Sequence, residues 1–208
     1  MRERDTREAL LVAGVELFLE GGYDFAGTSA ILERAQAPRG SFYHHFEGKE
    51  AFALAVAEYY YEQHLPALDR ALGDDRRPAL ERLRSYFEAL ARDFARAGHV
   101  GGCLLGMLGQ DLADRSPEAR AALARLFARW RNRLADCLRE ARERGELGAS
   151  VDAEQTAAFI LDAWEGALLQ MKLGRSSAPL ERFLDVVFRQ LLTSGGRRRA
   201  SGRPSTRR

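Results

Sequence analysis

Cysteine, lysine and long apolar runs are the scarce features of this 208-residue chain. Its two cysteines, Cys103 and Cys137, are too few for a disulfide framework and lack the paired spacing of a zinc site. Single-thiol chemistry is all they offer, and neither a metal nor a cofactor is expected. Nowhere do about 18 uncharged apolar residues run together, and the opening MRERDTRE has no apolar stretch behind its charges. No membrane span and no signal peptide is expected, which places the chain in the cytoplasm. Of 32 basic residues only Lys49 and Lys172 are lysines, so these two positions stand out against a uniform use of arginine. The net charge of +2 does not announce a nucleic-acid partner, and such a partner would have to be met by a local arrangement.

What is present is apolar residues at helical spacing. They make up, with the other hydrophobic types, 46% of the chain, enough to fill a sizeable core. Leu10, Gly14, Leu17 and Phe18 follow three- and four-residue steps, as do Leu123, Phe127, Trp130, Leu134 and Leu138. No segment alternates convincingly, so the fold class is all-α. Breaks at Gly21-Gly22, Pro38, Gly73 to Pro78, Gly98 to Gly102, Ser116-Pro117, Gly145 to Ser150 and Gly174 to Pro179 divide it into about nine helices. Ser116 before Pro117 and Glu118 reads as an N-cap, and Asp152 with Gln155 has capping-box spacing. The first three helices form a module over residues 1–48, and a long helix from about Lys49 to Leu72 leads into a larger helical domain over 49–195. The last residues, 196–208, hold almost nothing apolar and are expected to be a disordered basic tail.

The segment from Thr28 to Glu50 carries the sharpest pattern. A short helix opened by Thr28, a tight turn at Gln36 to Pro38 and a second short helix from Arg39 have helix-turn-helix geometry. Ile31, Leu32 and Ala35 can pack on Phe42 and Phe46, which turns Arg39, Gly40, Ser41, Tyr43 and His44 outward. Such a face suits a DNA groove: Gly40 permits close approach to phosphates, Arg39 and Ser41 can reach base edges or phosphate, and Tyr43 and His44 can donate to phosphate oxygens. Thr28 and Lys49 begin helices whose free amides favour anions.

At these residues the chain resembles the TetR family, whose signature joins a Thr-initiated second helix to a G-x-x-Y-x-H-F-x-x-K-E ending, here Gly40 to Glu50. Thr28, Ala35, Gly40, Tyr43, His45, Phe46, Lys49 and Glu50 all fall in register. Where that pattern often has glycine and then serine or threonine, this chain has Gln36 and Pro38, so the turn is expected to differ in detail. The resemblance implies a homodimer that holds double-stranded operator DNA and answers to a small-molecule effector, more often as a repressor than as an activator. In such proteins the last two long helices of each subunit build a four-helix bundle. The candidates here are Asp152 to Gly174, with Phe159, Ile160, Ala163, Trp164, Ala167, Leu168 and Met171, and Ser177 to Leu192, with Leu180, Phe183, Leu184, Val187 and Leu191.

The stretch G101-G-C-L-L-G-M-L-G-Q-D-L puts Cys103 at the expected start of a helix, where free amides stabilise a thiolate. Cys137, between Leu134 and Leu138, reads as a buried inert thiol. Lys172 shares a stripe with Leu161, Glu165 and Leu168, which points it inward. With W164-E-G-A-L-L-Q-M-K-L-G, this segment resembles the NemR/AcuR-like subgroup of the family. That implies for Cys103 and Lys172 a redox switch, with a site for a reactive electrophile or small unsaturated acid nearby, for which Trp164 is a further candidate. The plainer alternative is a packing cysteine and a lysine paired with Glu165. Two other classes compete. A thiol enzyme would use Cys103 with a base among His44, His45, His64 and His99, but no oxyanion motif or phosphate loop accompanies them. A helical protein-binding adaptor leaves the N-terminal signature unexplained.

Overall fold

The computed structural model describes residues 3–192; the basic tail anticipated over 196–208 lies outside the described residues. Among them nine α-helices follow one another: α1 (Glu3–Gly21), α2 (Thr28–Arg34), α3 (Ser41–His45), α4 (Lys49–Leu72), α5 (Ala79–Arg96), α6 (Leu104–Leu112), α7 (Pro117–Glu143), α8 (Ala153–Gly174) and α9 (Ala178–Asp185). A π-helical turn, Val186–Leu191, continues α9. No described helix is long and apolar enough to cross a membrane.

The first three helices close on aromatic contacts. Phe42 of α3 is fully buried and meets Phe52 of α4 at 5.1 Å between ring centres, while Phe46 meets Phe52 at 4.9 Å. α1 crosses α4 at Gly14, where a β-carbon would come within 2.5 Å of Val56 and 2.6 Å of Phe52. Only glycine permits that approach. One apolar cluster runs on from this head through α4 into the remaining helices. α4 therefore belongs to both halves, packing on α1 at one end and on α5 and α7 along its length.

The helix starts follow the capping chemistry. Ser116 Oγ accepts from the Ala119 amide at 3.0 Å ahead of Pro117. Asp152 Oδ1 accepts from the Gln155 amide at 2.9 Å, but Gln155 Nε2 donates to the same carboxylate rather than reaching back to the cap's own backbone. The free amides of Ala79 and Leu80 at the start of α5 are met from a distance, each donating at 3.0 Å to the Glu146 carboxylate. Arg82, at 1% exposure, pairs with Glu140 at 2.5 Å and donates to the Leu72 carbonyl, which ties α5 to α4 and α7.

Two elements differ from expectation. The helix read from Ser177 to Leu192 widens after Asp185, and the Leu192 amide donates to Val187 five residues back at 3.0 Å. Across this turn Val187, Phe188 and Leu192 are buried while Leu191 is 45% exposed. The second short helix begins at Ser41 rather than Arg39, because the Pro38 carbonyl takes both the amide and the hydroxyl of Ser41, at 2.9 and 2.7 Å, and holds Arg39 and Gly40 in a turn.

Candidate functional site

The link between α2 and α3 turns on Gln36. It adopts the left-handed conformation, φ 51°, while its amide reaches Glu33 and the Ala37 amide reaches Leu32, both at 3.0 Å. These two bonds are the Schellman closure of a helix end, a place that favours glycine. Beyond it Arg39 and Gly40 are exposed, Ser41 is half-buried with its hydroxyl donated to Pro38, and Tyr43 stands 70% exposed beside an exposed His44. His45 is half-buried, 5.0 Å from the His44 ring and 6.2 Å from Phe46. Thr28 opens α2, and Lys49 opens α4 with its ammonium 4.4 Å above the Tyr23 ring. Of the residues anticipated on one outward face, Arg39, Gly40, Tyr43 and His44 are exposed and Ser41 is half-buried, while Phe42 and Phe46 are buried.

A second feature lies between α1, α4, α5, α7 and α8. A cavity of about 920 Å³ is walled by apolar side chains such as Leu68, Leu90, Leu105, Trp164 and Leu168. Trp164 is 1% exposed and packs on Phe87 at 5.1 Å and Phe183 at 5.2 Å. Cys103 reaches the cavity from the N-cap of α6. The amides of Leu105 and Gly106 pull its thiol toward ionisation, as its place at a helix start suggests, but burial and the neighbouring Glu165 carboxylate outweigh them and push it well above the usual thiol range. The expected low-pKa thiolate is therefore corrected: at neutral pH this sulfur keeps its proton. Lys172 is also placed differently. It is exposed at the cavity rim rather than inward, since it sits in the last turn of α8, where a long stem keeps its ammonium in water.

The group facing Cys103 is Glu165. Burial pushes its carboxyl up to about 7, against the pull of the thiol, and its Oε1 is buried without a hydrogen-bond partner. Gly106 makes the room, for a β-carbon there would lie 2.5 Å from Glu165 Oε2. Cys137, by contrast, donates to the Ala79 carbonyl at 3.3 Å, and burial pushes it to about 11, as an inert thiol should behave.

Comparison with known proteins is decisive at this point. Residues 10–56 match the bacterial regulatory proteins of the TetR family, and residues 79–187 match the tetracyclin repressor-like C-terminal domain. The transcriptional regulator AcuR of Cereibacter sphaeroides is 38% identical over 186 residues, covering 89% of this chain and 85% of its own length. The transcriptional repressor DhaR of Mycobacterium sp. strain GP1 is 34% identical over 194 residues, covering 93% and 96%. The crystal structure of reduced NemR from Escherichia coli superposes with a TM-score of 0.81 at 34% identity, covering 88% and 95%.

This chain belongs to the TetR family.

It is thus a helix-turn-helix transcriptional regulator and not an enzyme, with a TetR-type DNA-binding head and a helical C-terminal domain. Within this TetR-family frame, α6 joins α1 and α4 among the elements that reach both features. Cys103 caps its start at the cavity, and Asp111 near its end accepts the Tyr23 amide of the head at 2.8 Å. Arg115 pairs with Asp24 at 2.9 Å, and Ser116 donates to Glu50 at 2.6 Å. Sequence reasoning did not single out Tyr60, Tyr86 and Trp130 as cavity residues. Their signal was faint but present: the Tyr59-Tyr60-Tyr61 run, and polar-tipped aromatics on helix faces where leucine would have served the core.

Proposed function

We propose that this TetR-family regulator is a homodimeric repressor, held on operator DNA through α3 and released when a small molecule occupies the cavity beside Cys103. In this reading Arg39, Gly40, Ser41, Tyr43 and His44 meet the DNA, flanked by Thr28 and Lys49. Residues 1–48 act as the reading head and 49–195 as the sensing and dimerising body, working in the cytoplasm. Cys103 and Trp164 line the effector site, and Lys172 stands at its rim. The observation that carries the reading is the course of α6, which leads from the cavity to the head and ends there in the Asp111 bond to Tyr23. Small displacements at a packed cavity move such a bistable contact rather than deforming it gradually.

Dimerisation through α8 is supported by what that helix leaves uncovered. Ile160, Trp164, Ala167, Leu168 and Met171 are consumed by the monomer's own core. Phe159, Leu169 and Leu173 remain 52%, 48% and 71% exposed, and with Gly166, where an added β-carbon would meet nothing, they form a stripe at three-, four- and seven-residue spacing. A second copy laid against that stripe gives two-fold symmetry and two α3 heads for successive major grooves. AcuR, DhaR and NemR being named as regulators or repressors supports the assignment as a repressor.

The test is a mobility shift with DNA from upstream of the protein's own coding sequence, using wild type and Cys103→Ser with N-ethylmaleimide or acrylate in reducing buffer. Release of wild type but not of the variant by the maleimide supports capture at the thiol. Release of both by acrylate supports a reversible ligand. Absence of a shift at low salt overturns the operator-binding reading itself.

A further inference from the structure

Polar groups from four helices or their caps line the cavity together, Tyr60 of α4, Tyr86 of α5, Cys103 at the start of α6 and Trp130 of α7, and Glu165 of α8 stands against Cys103. Trp130 lines the cavity at 8% exposure, and its Nε1–H has no hydrogen-bond partner. It lies beside the Tyr86 hydroxyl, and Tyr86 itself lines the cavity at 9% exposure. An unpartnered buried indole donor costs about 1–3 kcal/mol, a cost that an acceptor brought by a ligand removes.

The charge of the buried end of the cavity limits what the ligand can be. Glu165 and Cys103 crowd it with groups that are neutral or negative, and the basic residues lining the cavity, Lys172 and Arg175, are exposed at the rim. A carboxylate pushed to the buried end would meet Glu165 with no cation beside it, which is costly at low dielectric. We propose that the buried end of the cavity is a carbonyl-oxygen site, in which Trp130 Nε1–H and the Tyr86 hydroxyl hold one oxygen of a small uncharged carbonyl compound with its carbon skeleton against the apolar wall. This deepens the reading of the cavity as the effector site and rests on it.

Cyclohexanone and cyclohexanecarboxylate are matched probes of similar size, and neither can alkylate a thiol. Full-length protein carrying ¹⁵N-labelled tryptophan has only two indole N–H resonances, assigned with Trp164→Phe. Cyclohexanone is expected to move the Trp130 resonance downfield in a saturable way. The carboxylate is expected to bind about tenfold more weakly, and Tyr86→Phe to weaken cyclohexanone binding about threefold or more while the wild-type resonance serves as control. A carboxylate that binds as tightly as the ketone overturns the uncharged class. A ketone that moves Trp164 alone overturns the donor assignment but leaves the cavity as a ligand site. If neither probe moves either indole, the carbonyl site is overturned, and the effector reading of the cavity falls with it unless operator release is seen in the mobility shift.

Discussion

Cys103 lines the cavity and Glu165 stands against it; the carboxylate raises the proton affinity of the thiol, whereas the thiol's hydrogen bond draws the carboxyl the other way and burial alone raises it. A carboxyl with its pKa near 7 in the folded chain and about 4.5 when unfolded binds its proton more tightly in the fold. Stability therefore falls as pH rises through that window, by up to about 3 kcal/mol. Glu165→Gln removes the dependence. Urea unfolding is expected to favour the variant over wild type at pH 8 more than at pH 5; equal pH profiles for the two proteins would contradict the buried carboxyl. The same variant removes the negative neighbour of the thiol, so alkylation of Cys103, read by mass spectrometry at pH 8, should run several-fold faster than in wild type. This residue-scale picture was the least legible part of the sequence. Cys103 at a helix start reads as a candidate thiolate when only local amides are counted, and the sign reverses once α8 brings Glu165 across from 62 positions away. Lys172 misled in the opposite way: its stripe with Leu161, Glu165 and Leu168 is real, but the helix ends too soon after it for the core to cover it.

At the scale of elements the local chemistry carried far more. Breaks at glycine and proline and the Ser116 and Asp152 caps are consequences of neighbours within a few residues, which a sequence records directly, and the spacing of Ile31, Phe42 and Phe46 marks the side that packs inward. The π-helical turn after α9 was not readable, since the apolar spacing of Val187, Phe188, Leu191 and Leu192 is that of an ordinary helix. The Gln36 turn is an intermediate case: the sequence lacks the usual glycine, and the structure keeps the left-handed turn regardless. A non-glycine residue there carries about 1 kcal/mol of strain, less the extra freedom that glycine gains on unfolding. Gln36→Gly should therefore raise stability, by up to about 1 kcal/mol in urea unfolding, and a loss of stability would show that the Gln36 side chain compensates.

For the whole molecule, the proposed joint between sensing and reading is α6. Asp111→Ala deletes the acceptor of the Tyr23 amide while leaving the cavity walls in place. Effector affinity measured on the free protein should change little, whereas the drop in operator affinity caused by effector should shrink about tenfold, because coupling between sites is a free energy carried by contacts that differ between states. Unchanged coupling would route the signal elsewhere, for instance through α4, which also spans both halves.

The measurement that bears most directly on the central assignment is fluorescence anisotropy of labelled upstream DNA titrated with wild type and with the double variant Arg39→Ala, Tyr43→Ala. Both side chains are exposed and outside the core, so the variant should unfold as wild type does. The account predicts tight, salt-dependent binding by wild type and a loss of about a hundredfold or more in the variant, about 1–3 kcal/mol for each lost DNA contact. Equal binding by the two proteins would contradict the assignment of the α3 face as the part of the molecule that reads DNA.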